Sequence, residues 1–334
     1  MSDTFISRRS VLRHLTGFAA AAGGSAASWP GFAQPSYPSK PINIVVPYTA
    51  GGPTDLTARR LAEQLGKILN TAVMVDNRTG AATLVASEYV ARAPKDGYTL
   101  LFAPGTTTSA NPYLFKKLPY TLDDFAPVSL VSKQPFVLTA AEHIRVKNIA
   151  ELIAYAKTRP GGVDFGTTGI GSLTHIIGKW IGRTLGINMQ EVPYKGTSAA
   201  VGDMLGGRLD SQVEGIVSAI PLHKAGKARV VAVMSEERSP ALPDVPSFKE
   251  SGYPDLVAYI WFGLLAPAGT PDDVLEKLRL ATVKAAEQPS FRDPMAENGE
   301  IAVSSTSRQE YAAHLRREYE AWGRIIKPLN LELQ

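Results

Sequence analysis

The stretch Val45-Val46-Pro47-Tyr48-Thr49-Ala50-Gly51-Gly52-Pro53-Thr54-Asp55 runs from an apolar strand through a glycine loop into a helix. Ile42 to Val46 is a short apolar run with Asn43 inside it, the pattern of a buried strand. Pro53 marks the first helical position, where its missing N–H is no loss and its φ is already helical. Leu56, Leu61, Ala62, Leu65, Ile68 and Leu69 then recur at helical spacing. Gly51 and Gly52 therefore fall where free N–H groups meet the positive end of the helix dipole. Tyr48, Thr49, Ala50, Gly51 and Gly52 form a candidate anion-binding loop. Asp55 lies in the first helical turn, placed either to complement the dipole or to touch a ligand.

A second copy of this arrangement follows at Gly166-Thr167-Thr168-Gly169-Ile170-Gly171-Ser172-Leu173-Thr174-His175. For one such loop, glycines that merely permit a tight turn would suffice. Two of them, one early and one mid-chain, predict a clamp for a carboxylate or phosphate, with Thr167, Thr168, Gly171 and Ser172 in its second half. Ser172 reads as the helix N-cap, offering its hydroxyl to an anion. His175 lies over the same turn. A Ser172–His175 nucleophile–base pair is the rival reading. However, Gly171-Ser172-Leu173 lacks the second glycine of a Gly-x-Ser-x-Gly elbow, so no catalytic residue is assigned. Thr106-Thr107-Thr108 and Tyr194-Lys195-Gly196 stand at other strand ends, where open α/β sheets bind ligands. Glu214 also ends a strand, positioned to receive a ligand ammonium or to lie in solvent.

Strand and helix alternate through most of the chain, which predicts α/β architecture with largely parallel sheets. Ala103 to Asn111 reads as a loop. Val128–Val131 and Phe136–Thr139 read as separate extended pieces. Ser239 to Pro254 is proline-rich and irregular, and the apolar run Ala258 to Ala266 returns the chain to the first domain. Helices are expected at Pro271–Glu287, Ser290–Asn298 and Arg308–Ile326. Phosphate-loop and dinucleotide fingerprints are missing, because Gly169-Ile170-Gly171 is followed by Ser-Leu-Thr. Five histidines without His-x-x-x-His spacing argue against zinc, and no cofactor is expected.

The first residues read as a leader: Arg8, Arg9 and Arg13, an alanine-rich apolar segment from Leu15 to Ala27, and cleavage after Ala33. Ser7-Arg8-Arg9-Ser10-Val11-Leu12-Arg13 fits a twin-arginine export signal and an ordinary Sec signal equally. With Cys 0, no disulfide, thiolate ligand or lipid-bearing cysteine exists, which predicts a free periplasmic protein and not a lipoprotein. The leader carries Arg8, Arg9 and Arg13 against Asp3, so the formal +4 falls to +2 without it. No basic cluster with interleaved aromatics supports nucleic-acid binding.

Taken together, the chain from Lys40 onward resembles the substrate-binding receptors of tripartite tricarboxylate transporters, the Bug family. The likeness is carried by Pro47-Tyr48 through Gly51-Gly52 to Asp55, Asp76-Asn77-Arg78-Thr79-Gly80-Ala81, Asp96-Gly97-Tyr98-Thr99-Leu100, Asn111-Pro112 and Phe125-Ala126-Pro127-Val128. It continues in Gly171-Ser172 to His175, Val192-Pro193-Tyr194-Lys195-Gly196, Asp203 to Asp210, Ala225-Gly226-Lys227 and Pro243-Asp244-Val245-Pro246-Ser247. The resemblance implies a periplasmic-binding-protein-like fold of two α/β domains with a ligand cleft between them. The expected division is 36–137 with 257–334 against 138–256. It further implies that backbone N–H groups of Tyr48–Gly52 and Thr167–Ser172, with waters, hold one carboxylate of a small organic acid. Asp55, Thr106 and His175 match cleft positions. The implied partners are the membrane permease subunits of such a transporter, with a sensor kinase as the alternative. Ala81-Ala82-Thr83 replaces a segment usually rich in glycine, Leu173 and Ala199 replace prolines, Lys179 a glutamate, and Glu214 an aspartate. Those departures leave the ligand open among dicarboxylates, tricarboxylates, amino acids and aromatic acids.

Overall fold

The structure is a computed structural model describing residues 36–194 and 196–329. The expected leader lies outside the described residues, as does Lys195. The apolar run β1 (Ile42–Val46) is a central strand, hydrogen-bonded in parallel to β2 (Val73–Asn77) on one side and β3 (Thr99–Pro104) on the other. Helix α1 (Pro53–Leu69) covers this sheet with Ala58, Leu61, Ala62 and Leu65, and α2 (Leu84–Ala91) follows β2. The helices expected near the C-terminus form as α8 (Asp272–Glu287), α9 (Pro289–Glu297) and α10 (Arg308–Ile326).

A similar construction recurs in the middle of the chain. Strand β5 (Val163–Thr167) pairs in parallel with β6 (Met189–Pro193) and β7 (Ser211–Gly215). Helix α5 (Leu173–Leu185) packs on one face, where Phe165 meets Ile176, Ile177 and Ile181. Helix α6 (Thr197–Leu205) places Ala200 and Met204 among a smaller cluster with Leu209. Helix α4 (Ile149–Lys157) completes the layer around Leu152.

What joins the two constructions differs from expectation. The two extended pieces near residues 128 and 139 belong to one 17-residue strand, β4 (Phe125–Ala141). Its first half pairs antiparallel with β9 (Tyr259–Pro267), ending at Pro135↔Tyr259. Its second half pairs antiparallel with β7 and with β8 (Ala228–Val233), beginning at Phe136↔Gly215 and Val137↔Val233. β4 thus serves both parallel groups, and the whole is one mixed sheet in the order β2-β1-β3-β9-β4-β7-β5-β6, with β8 and the short β10 (Ile301–Ala302) on β4. Register shifts at Pro127/Ser129, Leu130/Ser132 and Leu138/Thr139 let so long a strand bend.

One further segment departs from the sequence reading, and one helix lies where that reading named no element. Ala103 to Asn111 is not a loop: Thr106–Ala110 is a buried π-helical turn that leads into α3 (Asn111–Leu114). Helix α7 (Ile216–Lys224) follows directly on Gly215, and its internal Pro221 hid it from a helical reading.

Candidate functional site

Both glycine loops stand at the carboxyl ends of parallel strands, β1 and β5, and open α1 and α5. In the first, Gly51 has φ 81°, a conformation that glycine adopts without strain. Gly52 is the N-cap and Pro53 the first helical residue. The Gly51 N–H is not free, as the sequence reading had it. It donates to Asp55 Oδ2 at 2.8 Å. The Asp55 side chain is 1% exposed and also accepts from Arg59 Nε at 2.8 Å and Asn77 Nδ2 at 2.9 Å. Burial alone would raise its pKa, but the hydrogen bonds from Arg59, Gly51 and Asn77 outweigh burial and hold the carboxyl below its ordinary value. Asn77 donates in addition to Tyr48 O at 2.9 Å, fixing the loop's other end. Among the described residues, the amides of Thr49 and Ala50 have no protein acceptor, and both residues are exposed.

The second loop repeats the geometry with other side chains. Gly171 has φ 79°, and Ser172 is the N-cap as expected, its Oγ accepting from His175 N–H at 3.2 Å. Gly171 N–H donates to His175 Nδ1 at 3.1 Å. Thr174 Oγ1 takes the Thr168 N–H at 2.9 Å and sits 2.9 Å from Ser172 Oγ. Gly169 N–H donates to Thr167 Oγ1 at 3.1 Å. The His175 ring is 2% exposed and turned to the backbone amide, not to the Ser172 hydroxyl, so the two side chains make no nucleophile–base pair. Burial pushes the imidazole below its ordinary pKa, with Glu191 raising and Lys179 lowering it.

Thr106 is buried at the start of the π-helical turn, and its side chain draws the Tyr48 hydroxyl's pKa down against the effect of burial. Tyr48 as a residue is 36% exposed, and burial of its hydroxyl pushes that group up to about 12. The same turn is tied down by Thr83 Oγ1 on Thr107 Oγ1 at 2.9 Å, by Tyr120 OH on Thr107 O at 2.8 Å, and by Asn111 Nδ2 on Ala82 O at 2.8 Å. Ala81, Ala82 and Thr83 carry φ of 42°, 49° and 80°, so this segment holds a shape suited to glycine without having one.

Two residues named from sequence are placed differently. The Tyr194 hydroxyl is committed to Asp203 Oδ2 at 2.9 Å, and its backbone N–H donates to Thr167 O of the second loop. Glu214, for which a solvent-exposed strand end was the simpler expectation, is 1% exposed. Neither of its carboxyl oxygens has a donor among the described residues. Burial pushes Glu214 up to about 7, and the nearby Thr139 hydroxyl draws it slightly back without a hydrogen bond of ordinary geometry. Sequence reasoning missed Arg59, Asn77 and Thr174. The i,i+4 spacing of Asp55 and Arg59 was the available signal for the first.

Among the described residues no group of three or more His, Cys, Asp or Glu is gathered as a metal site would need. Two surface cavities, of about 500 Å³ beside Tyr113 and Arg324 and about 470 Å³ beside His143 and Lys227, have no loop residue in their linings.

Comparison with known proteins follows the same lines. Residues 57–331 match the family model described as the tripartite tricarboxylate transporter family receptor. The protein BugT of Bordetella pertussis is 32% identical over 301 residues, which cover 90% of this chain and 92% of that one. Among solved structures, MatC from Rhodopseudomonas palustris with bound malate superposes with a TM-score of 0.79 at 30% identity, covering 87% of this chain and all of that one. R. palustris Rpa4515 with adipate gives a TM-score of 0.83 at 29% identity, covering 89% of this chain and all of that one. By the family model that spans residues 57–331 and the 32% identity to BugT over 301 residues, the chain belongs to the tripartite tricarboxylate transporter receptor family, and it is a solute-binding receptor and not an enzyme.

Proposed function

We propose that this receptor captures a small dicarboxylate in the periplasm, between the Tyr48–Gly52 and Thr167–Ser172 loops, and delivers it to the permease subunits of a tripartite transporter. The observation that carries the reading is the matched pair of loops. Each sits at the carboxyl end of a parallel strand, has a glycine near φ 80° and opens a helix, and the two belong to different parallel groups of the sheet. The malate bound by MatC and the adipate bound by Rpa4515 support a dicarboxylate over other acids. In this reading the segments 36–137 with 257–334 form one lobe and 138–256 the other. The bends of β4 and the start of β9 give the hinge. Ligand contacts made to both lobes at once favour the closed state, because the open state lacks half of them. Tyr48, Thr49, Ala50, Gly52, Thr106, Thr168 and Ser172 supply amides and hydroxyls to the acid.

The test is thermal unfolding of protein freed of co-purified ligand by unfolding and refolding, against succinate, malate, adipate and their diamides. An acid at a hundred times its dissociation constant stabilises the fold by about 2.7 kcal/mol. A shift with one acid that its diamide does not reproduce supports the clamp. Equal shifts for acid and diamide, or none with any of the acids, would refute a dicarboxylate clamp.

A further inference from the structure

Asp55 and His175 are both third residues of their helices, and each accepts the N–H of the glycine four positions earlier, at 2.8 Å and 3.1 Å. Those glycines share φ values of 81° and 79°. The N-caps that follow them share an extended backbone, Gly52 at φ −77°, ψ 167° and Ser172 at φ −68°, ψ 159°. Two unrelated side chains thus produce one loop shape. In both, the side chain of the third helical residue reaches back past the N-cap to the residue before it, one step beyond the reach of a capping box.

The chemistry of the two acceptors differs. The Asp55 carboxylate is surrounded by donors from Gly51, Arg59 and Asn77, all of which favour its ionised, accepting form. His175 accepts through Nδ1, so that nitrogen carries no proton and the ring's single proton is assigned to Nε2. Protonation of Nδ1 would set two donors face to face and end the bond. The charged groups that face the ring are Glu191 on β6 and Lys179 one turn along α5, which are ion-paired with each other. The α5 N-terminus adds its own positive end against an imidazolium.

We propose that Asp55 and His175 are positioning residues that latch the two glycine loops, and that the second latch, built on a neutral imidazole, opens on acidification while the first stays closed. The consequence for ligand capture rests on the function proposed above. The latch itself is measured without ligand, so failure of one is distinguishable from failure of the other. Because burial depresses the imidazole, opening falls below the ordinary value of 6.5.

The experiment is amide-resolved NMR of the 15N-labelled protein from pH 8 to pH 4.5, with the His175 ring resonances followed alongside. Protection of the Gly171 amide from exchange, taken relative to an unprotected peptide at each pH, should fall roughly fivefold or more as the ring titrates, the worth of one net hydrogen bond. Gly51 protection should not change with it. His175→Asn, whose Oδ1 falls where Nδ1 does and accepts without titrating, should protect Gly171 at every pH. His175→Ala should protect it at none. Gly171 protection that ignores the ring titration, or that survives in His175→Ala, would overturn the proposal. If His175→Ala does not fold, the comparison of the wild type with His175→Asn decides alone.

Discussion

Replacing Glu214 with glutamine should stabilise this receptor at pH 8 and do almost nothing at pH 4.5. Glu214 pairs across the sheet with Val137 on β4, while Gln212, two residues earlier on the same face, pairs with Thr139. Both Glu214 oxygens, Gln212 Oε1 and Thr139 Oγ1 are buried without hydrogen-bond donors among the described residues. The surroundings therefore offer the carboxylate nothing to replace water, and its pKa rises from 4.5 to about 7. Between those two values the folded protein keeps a proton that the unfolded chain has released. Stability due to this group is thus greatest at low pH and is lost as pH climbs through the folded value. The span corresponds to about 3 kcal/mol, fully expressed above pH 7. Glutamine keeps the shape, removes the charge and brings two N–H donors to the neighbouring acceptors. Urea unfolding of both proteins from pH 4.5 to pH 8 measures the difference, which should grow from near zero to about 3 kcal/mol in favour of the variant. A difference that does not change with pH would refute the reasoning, as would a variant less stable than the wild type at pH 8. Either result would mean that the carboxylate is ionised and well paired in the fold.

Two further substitutions probe the strain around the loops. Ala82 has φ 49°, ψ 46°, and Ala82→Gly should raise stability by up to about 1 kcal/mol, because relief of left-handed strain exceeds the added chain entropy; a loss of stability in thermal melts would contradict this. At Gly178, inside α5, an added Cβ would lie 1.9 Å from Phe165 Cε2 in the core. Gly178→Ala should therefore destabilise by about 1–2 kcal/mol despite alanine's better helix propensity, and a more stable variant would show that Phe165 yields freely.

The strand–loop–helix units were legible because each is written locally. Ile42–Val46, Pro53 and the apolar spacing of α1 carry their own boundaries, and Ser172 announces its helix by capping chemistry. The joining of the two groups was not legible. Ser132, Lys133, Gln134 and Pro135 interrupt the apolar pattern of β4, and only their pairing with β9 and β10 makes them strand. The turn at Thr106–Ala110 looked like a loop because its threonines and serine are poor helix formers. Tertiary bonds from Thr83, Tyr120 and Asn111 override that preference. In the site, residue types were readable and their commitments were not. Nothing in the spacing of Gly51 and Gly171 shows that their amides are already taken, since Asp55 and His175 are as plausible facing a ligand as facing the backbone.

Those commitments bear on how an acid would be held. The charged side chain nearest the first loop is Asp55, an anion, and its cationic neighbour Arg59 is spent on it. In the second loop His175 is neutral where its Nδ1 accepts an amide, and Lys179 is paired to Glu191. On the proposed reading, and among the described residues, a carboxylate between the loops therefore meets no free cation from them, only the amides and hydroxyls left over once Gly51 and Gly171 are engaged. Such donors are oriented and act near two helix N-termini, so several of them can replace the hydration of one carboxylate. They do so without the strong, indiscriminate attraction that an unpaired arginine would exert on every anion. Recognition of one carboxylate then depends on the loops keeping their shape, which places Asp55 and His175 in the role of holding the donors still.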